Sequence, residues 1–296
     1  MAMQPAQREQ SYSRDRKESL TEKDFLRLSA FIHAECGIKL AGGKKVMIEA
    51  RFQKRLRALG MKSFSEYCAY LFSPEGMQRE LHHMIDVVTT NKTDFFREPT
   101  HYDFLVEKVL PERVTARGAG PGKKLTIWSA GCSTGEEPYT LAMVMNEFAE
   151  RCTGFGFTWS ILATDISTRV LEKAKQAVFE AERALPIPDP LKRKYLLKSR
   201  DRAKGLVRIV PELREAVQFR RLNFMDDDFG LREMIDIVFC RNVIIYFDRP
   251  TQAKLLNKFC RQMVPGGYLF MGHSETLHGL DVPLVQVAPT VYRKPA

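Results

Sequence analysis

The chain has 296 residues, 44% of them apolar, which is enough for one large domain or two smaller ones with a real core. No run of eighteen apolar residues occurs, which excludes a membrane-spanning helix, and the six cysteines (36, 68, 132, 152, 240 and 260) form no CxxC pair, which argues against a disulfide framework or zinc ribbon. A net charge of +10 points to an acidic partner, and half of the surplus lies in residues 1–93, with 16 Lys+Arg against 11 Asp+Glu.

Residues 1–19 mix both charge signs and lack an apolar stretch, so they read as a flexible tail rather than a signal peptide. Reduced thiols and no export signal place the protein in the cytoplasm. No metal is expected: His33 and Cys36 form one spaced pair without partners, and His82 and His83 are adjacent, a poor ligand geometry.

Residues 20–88 are helical in pattern. "DFLRLSAFIHAECGI", "KKVMIEARFQKRLRALG", "FSEYCAYLF" and "GMQRELHHMIDVV" each space apolar residues by three and four, with glycines near their ends. They predict an all-α N-terminal domain. A Gly/Pro-rich loop at 115–124 then precedes a change of rhythm within the second domain, 89–296. "LTIW" (125–128), "WSILA" (159–163), "IDIVFC" (235–240) and "GYLFMG" (267–272) read as strands. Between them lie helical patterns at "PYTLAMVMNEFAE", at "STRVLEKAKQAVF" with Ser167 or Thr168 as cap, and at "PTQAKLLNKFCRQM". This alternation predicts an α/β fold with a mainly parallel sheet, and "VPLVQVAPTVYRK" an antiparallel edge. Residues 183–222 break the alternation, and "GLVRIV" and "AVQFRRLNF" predict a small antiparallel β insertion there.

Ligands in open parallel sheets sit beyond the strands' carboxyl ends, so the loops after 128, 163 and 240 should converge. The first, "SAGCSTGEE", is neither a P-loop nor a GxGxxG fingerprint, although Gly131 and Gly135 allow tight turns and close backbone approach. Glu136 and Glu137 would repel a pyrophosphate and favour a cationic head. In "ATDIS", Asp165 stands at a strand end, where a carboxylate accepts from two ribose hydroxyls. Glycines, an acid for ribose and carboxylates for a cation fit S-adenosylmethionine. The competing reading places both glutamates in a helix first turn, where the dipole favours acids.

Together "TTNKTDFFREPTHYDFL", "IWSAGCSTGEEPYTLAM", "ATDIS", "FCRNVIIYFD" and "GGYLFMGHSET" resemble, in order and spacing, the chemotaxis receptor methyltransferases of the CheR family, over residues 21–293. The resemblance implies a Rossmann-like S-adenosylmethionine-dependent methyltransferase domain carrying a small antiparallel β-subdomain and preceded by an all-α domain. It also implies an activity, methylation of receptor glutamates with S-adenosylhomocysteine as the other product. Carried over by motif, Asn91, Thr93, Arg97, Gly131, Glu136, Glu137, Asp165, Asn223, Phe224, Arg241 and Asn242 bind the cofactor, with the choice between the two glutamates open. Arg97 and Tyr246 lie near the transferred methyl. Cys132 stands where small residues are common and is expected to pack.

A glutamate acceptor is ionised at neutral pH, so transfer from a sulfonium needs no general base, only alignment and exclusion of water. Arg97 can hold the acceptor carboxylate in its fork and Tyr246 can position it. On the helix at 44–57, Ile48, Phe52, Leu56 and Leu59 share one face. Lys44, Lys45, Arg51, Lys54 and Arg55 make a basic flank with only Glu49 opposing, read as a landing surface for the acidic helical bundle of a methyl-accepting receptor. The insertion offers an edge strand to a receptor tail in some family members, and "KSRDRAKGLVRI" leans against such a tether here. A monomer is expected, recruited to receptor arrays without inserting into the membrane. A nucleic-acid methyltransferase is the alternative suggested by the basic charge, but "RNVIIYF" replaces the [DN]PP[YF] element of base-amine methylases. No aromatic-basic stacking surface is evident either, so no nucleic-acid partner is expected. A cofactor-binding regulator without turnover is the other alternative.

Overall fold

The computed structural model describes residues 19–117, 123–152 and 157–296. The tail read at 1–19, except its last residue, and the centre of the 115–124 loop lie outside the described residues. By internal packing the chain divides into two units, one of residues up to Ala30 with Leu40–Leu81, the other Phe31–Lys39 with His82–Ala296. Among the described residues no helix is long and apolar enough to cross a membrane.

The first unit is helical. It holds the start of α1 (Glu22–Cys36), then α2 (Lys45–Leu59), α3 (Phe64–Leu71) and α4 (Pro74–Arg79). Ser63 and Ser73 cap α3 and α4 by accepting from Glu66 N and Gly76 N, and Gly60, at φ +70°, ends α2. Ile48, Phe52 and Leu56 are buried, as their spacing predicts, and Phe52 meets Tyr67 edge to face at 5.2 Å.

The second unit opens with the end of α1 and then α5 (Leu81–Val88), so residues 31–39 and 82–88 pack with the sheet rather than with the helical unit. The side chain of Asn223 donates to Glu35 O and that of Ser167 to Asp86 Oδ1, tying both segments to it. The elements then run α6 (Thr100–Phe104), α7 (Leu110–Arg117), β1 (Leu125–Ala130), α8 (Glu136–Arg151), β2 (Trp159–Asp165), α9 (Thr168–Gln176), β3 (Val178–Glu180), α10 (Asp189–Tyr195) and β4 (Leu196–Lys198). After these come β5 (Leu206–Ile209), α11 (Pro211–Glu215), β6 (Val217–Arg221), β7 (Ile235–Cys240), α12 (Arg249–Gln262), β8 (Met263–Met271), β9 (Val285–Ala288) and β10 (Val291–Arg293).

The described strands form a seven-stranded sheet in the order β6-β2-β1-β7-β8-β10-β9, parallel from β6 to β8 and antiparallel at β10 and β9. Both faces are covered, because alternate side chains of one strand enter opposite cores. Leu125 and Ile127 join Leu141, Phe239 and Phe270 on one side, while Trp128 and Ala130 join Leu255, Leu256 and Phe259 on the other. Trp128 donates to Thr164 Oγ1 at 2.9 Å and meets Phe224, Phe229 and Phe259 edge to face.

The inserted sheet is antiparallel but is not built as its sequence suggests. Its order is β3-β5-β4, so it begins at Val178, inside the "STRVLEKAKQAVF" pattern that predicts a continuous helix. Ala177, at φ +55°, ends α9 and frees "VFE" to extend. Of the two runs read as insertion strands, "GLVRIV" supplies β5, whereas "AVQFRRLNF" supplies β6, which returns to the main sheet and pairs in parallel with β2 from Val217 to Arg221. A short apolar alternation is the same in either sheet, and only its partner distinguishes them.

Candidate functional site

The strand order reverses at β1, which lies between β2 and β7, and the loops leaving all three strands meet there. They line a cleft of about 960 Å³, counting the solvent at its mouth, within the size range of small-molecule sites. Gly131, Ser133 and Glu137 enter it from the β1 side, Asp165 and Ile166 from β2, Asn223 and Phe224 from β6, and Arg241, Asn242, Val243 and Tyr246 from β7. Residues 88–93 and Arg97 close another side.

The β1 loop is pinned tightly. Gly131 has φ +87°, and a Cβ there would stand 2.6 Å from Val243 Cγ2, so two of the converging loops touch where only glycine fits. Asp165 accepts from Ser133 N and Ser167 N, both at 2.9 Å, one on each oxygen. Burial raises its pKa, and these backbone N–H groups oppose the rise. The carboxylate is thereby fixed in orientation, with lone pairs remaining for hydroxyl donors.

The two glutamates divide. Both stand in the first turn of α8. Glu137 lines the cleft, with Oε1 accepting from Ser129 Oγ at 2.7 Å and Oε2 from Arg241 Nε at 2.7 Å. Glu136, expected as a cofactor ligand, does not line it. Its side chain is 0% exposed, accepts from Thr134 Oγ1 at 2.6 Å and lies 2.5 Å from the guanidinium of Arg183, which also donates to Thr93 O. Successive helical residues point about 100° apart, and here Glu137 is the one turned to the cleft. Glu136 instead ties the insertion, through Arg183, to the segment carrying Asn91 and Thr93.

That segment adopts conformations its sequence does not advertise. Phe96 and Glu98 have φ of +52° and +56°. Anchors hold them in place: Ser133 Oγ donates to Asn91 O, Phe96 N to Thr140 Oγ1, and Arg241 Nη1 to Arg97 O at 2.6 Å. Arg241 also donates to the hydroxyl of Tyr102 at 2.8 Å. Burial works against its charge, but Tyr102, Glu137 and Glu98 more than offset that and raise its pKa. On the opposite wall the buried ammonium of Lys258 donates to the carbonyls of Phe224, Met225 and Asp226, fixing the loop that carries Asn223 and Phe224. Phe224 and Phe247 join Cys36 and Ile38, contributed from the end of α1, as an apolar wall. Burial pushes the Cys36 thiol up to about 12, so it stays protonated at neutral pH. Cys132 is buried and its thiol is raised well above its ordinary value, consistent with packing rather than reactivity.

Of the expected cofactor and methyl-site residues, all but Glu136 line this cleft. The sequence reading missed Cys36, Ile38, Lys92, Ser133 and Phe247, as well as the supporting Lys258 and Arg183. Of these, Lys92, Ser133 and Phe247 lie inside the motifs that carry the family resemblance. Among the described residues Glu98, His101 and His273 approach one another as three potential metal ligands. The Arg241 guanidinium lies 3.6 Å from Glu98 Oε2 and 3.4 Å from His101 Nδ1, so a cation there would meet a fixed positive charge.

Of the residues read as a docking flank, Arg55 has a different task. Its Nε and Nη2 clasp the two oxygens of Glu80 at 2.8 and 2.5 Å, and Tyr67 donates to the same carboxylate at 3.0 Å. Glu80 is 1% exposed, so this is a structural pair that neutralises a buried charge. Lys45 makes a surface pair with Glu22 at 3.0 Å, and Lys54 is exposed.

Residues 91–292 match the family described as CheR methyltransferase, SAM binding domain, and residues 23–89 match its all-alpha domain. The chain belongs to the CheR methyltransferase family. The CheR relatives it resembles include the chemotaxis protein methyltransferase of Borreliella burgdorferi, 39% identical over 93% of this chain and 95% of that protein. Chemotaxis protein methyltransferase 2 of Pseudomonas aeruginosa is 38% identical over 92% and 93%, and the Escherichia coli enzyme 35% over 93% and 91%. As a CheR protein the chain is an S-adenosylmethionine-dependent methyltransferase, and the cleft fits that cofactor. It offers an oriented carboxylate at a strand end, an apolar wall, and acidic and basic groups side by side for a zwitterion.

Proposed function

We propose that the protein methylates glutamate side-chain carboxylates of chemotaxis receptors, forming glutamyl methyl esters in the cytoplasm. S-adenosylmethionine supplies an electrophilic methyl group on a sulfonium. In this reading Asp165 accepts from the ribose hydroxyls, Phe224 and Phe247 border the adenine, Glu137 takes the α-amino group, and Arg241 sits by the α-carboxylate. Asn91, Thr93, Gly131, Asn223 and Asn242 complete the cofactor contacts, and Arg97 and Tyr246 orient the acceptor.

The observation that carries this is the state of the carboxylates in the cleft. Both oxygens of Glu137 and of Asp165 are already engaged, and among the described residues no histidine lines the wall. With these carboxylates engaged and no histidine among the described lining residues, the site suits an acceptor that arrives ionised. The receptor assignment draws on the relatives' names and on α2. Lys44, Lys45, Arg51 and Lys54 lie beside exposed Val46 and Met47 there, a mixed apolar and basic surface suited to an acidic helical bundle.

The test is to incubate the protein with methyl-labelled cofactor and a receptor cytoplasmic domain, then treat the product with alkali. A glutamyl ester releases volatile methanol. Label that survives alkali would identify a nitrogen acceptor, and no label at all would indicate a binding protein without turnover.

A further inference from the structure

The motif "GHSE" at 272–275 directly follows β8, and nothing in the methyl-transfer reading uses it. Its glutamate, Glu275, is 4% exposed. Oε1 accepts from Val243 N and Ile244 N, both at 2.8 Å, and Oε2 accepts from Asn242 N at 2.8 Å and Gly272 N at 2.7 Å. Three of the four donors are consecutive amides of the loop leaving β7, converging on one anion as in a backbone nest. Asn242 reaches this arrangement with φ +59°. A Cβ on Gly272 would stand 2.5 Å from Asn242 Nδ2, so this position must be glycine for the two loops to close together. The same loop carries Asn242 and Val243 into the cleft and, one turn later, Tyr246.

We propose that Glu275 is a positioning residue for the cofactor and methyl-transfer site. Its carboxylate fills the nest at 242–244 and sets where Asn242, Val243 and Tyr246 stand, without touching either reactant. Removing it leaves three neighbouring amides without their acceptor, and a loop whose conformation is disfavoured for a non-glycine residue relaxes. The inference rests on the reading of the cleft as the S-adenosylmethionine site.

The test measures S-adenosylhomocysteine affinity by calorimetry and turnover on receptor, using the full chain and its Glu275→Ala, Glu275→Gln and Glu275→Asp variants. Glu275→Ala is expected to weaken the ligand about tenfold or more, the loss that an unsatisfied buried donor brings. Formate, which can re-enter the vacated nest, should restore much of the affinity, whereas equal chloride should not. Glu275→Gln turns an NH2 group towards two N–H donors and should be weak with no formate response. Glu275→Asp should fall between Ala and wild type.

A generally destabilised protein would lower the active fraction at unchanged KM and would ignore formate, and that result overturns the proposal. Affinity and kcat within twofold of wild type in a folded Glu275→Ala protein overturn it as well. Should the Ala variant not fold, Gln and Asp decide: equal, wild-type-like affinities count against the idea, and Asp retaining affinity that Gln loses supports it. Hydrogen exchange at the 242–244 amides separates this inference from the reading beneath it. Wild type that fails to bind S-adenosylhomocysteine overturns the cofactor assignment, and this inference with it. Wild type that binds while those amides exchange equally fast with and without Glu275 overturns the inference alone.

Discussion

Glu137 and Arg241, 104 positions apart, meet through a 2.7 Å hydrogen bond from Arg241 Nε to Glu137 Oε2. One leaves β1 and the other β7, so the pair bridges the point where the strand order reverses. Of the two adjacent glutamates, Glu137 is the one that lines the cleft. Glu137→Ala is expected to weaken S-adenosylhomocysteine at least about tenfold and to cost about 3 kcal/mol of stability, because Arg241 stays buried with less compensation. Glu136→Gln should change affinity little, since that side chain does not reach the cleft. Calorimetry and denaturant melts on both variants check the contrast. Equal losses of affinity would remove the distinction.

Arg97 and Tyr246 are expected to affect the chemical step. Arg97→Ala should lower kcat about a hundredfold or more on receptor while changing S-adenosylhomocysteine affinity far less, as expected for a group that orients the acceptor. Tyr246→Phe should lower kcat by a smaller factor. Wild-type turnover in Arg97→Ala would take that residue out of the mechanism.

The basic flank of α2 should separate into two behaviours. Neutralising Lys44, Arg51 and Lys54 together is expected to raise the KM for receptor several-fold and flatten its salt dependence. Arg55→Ala should lower stability by about 2–3 kcal/mol through the uncompensated Glu80 carboxylate. Its effect on receptor KM should be minor. Receptor methylation by the triple variant with unchanged salt dependence would rule out docking on this face.

Acid should expose His101. Its ring is 2% exposed, Nε2 faces Thr290 Oγ1 at 2.8 Å, and that hydroxyl donates to Pro289 O, so Nε2 carries the proton and Nδ1 faces Arg241. Burial, joined by Arg241, holds its pKa down at about 4 against an ordinary 6.5. The unfolded chain therefore binds a proton that the native state refuses across that interval. Stability from this group is fully present above pH 6.5 and is lost as pH falls towards 4, by up to about 3 kcal/mol. Urea melts of wild type and His101→Gln across this range should converge as pH falls. Parallel curves would show that another group governs the acid limb.

Lys258 offers a further check on the cleft wall. Its ammonium serves three carbonyls of the 224–226 loop. Lys258→Met is expected to weaken S-adenosylhomocysteine about tenfold, because Phe224 and Asn223 lose their support. Unchanged affinity would show that the loop holds itself.

What local pattern determines, the sequence determined here. Apolar spacing of three and four or of two identifies most helices and the main strands, and Ser167 and Asp248 cap α9 and α12 as such residues do. The rule that ligands collect at the carboxyl ends of parallel strands locates the three converging loops before any coordinate is known. Tertiary structure decided whatever depends on a distant partner. "AVQFRRLNF" has the same alternation in either sheet, and pairing with β2 makes it part of the larger one. Glu136 and Glu137 are chemically identical, and only the helix's rotation against Arg183 and Arg241 separates them. Arg55 looks like its basic neighbours until Glu80, 25 positions later, closes on it. Glu275 acquires its task from amides about thirty residues earlier. Charge and hydrogen-bond partners act through space, so a residue's type shows what it is able to do, and the fold alone shows which group it does it to.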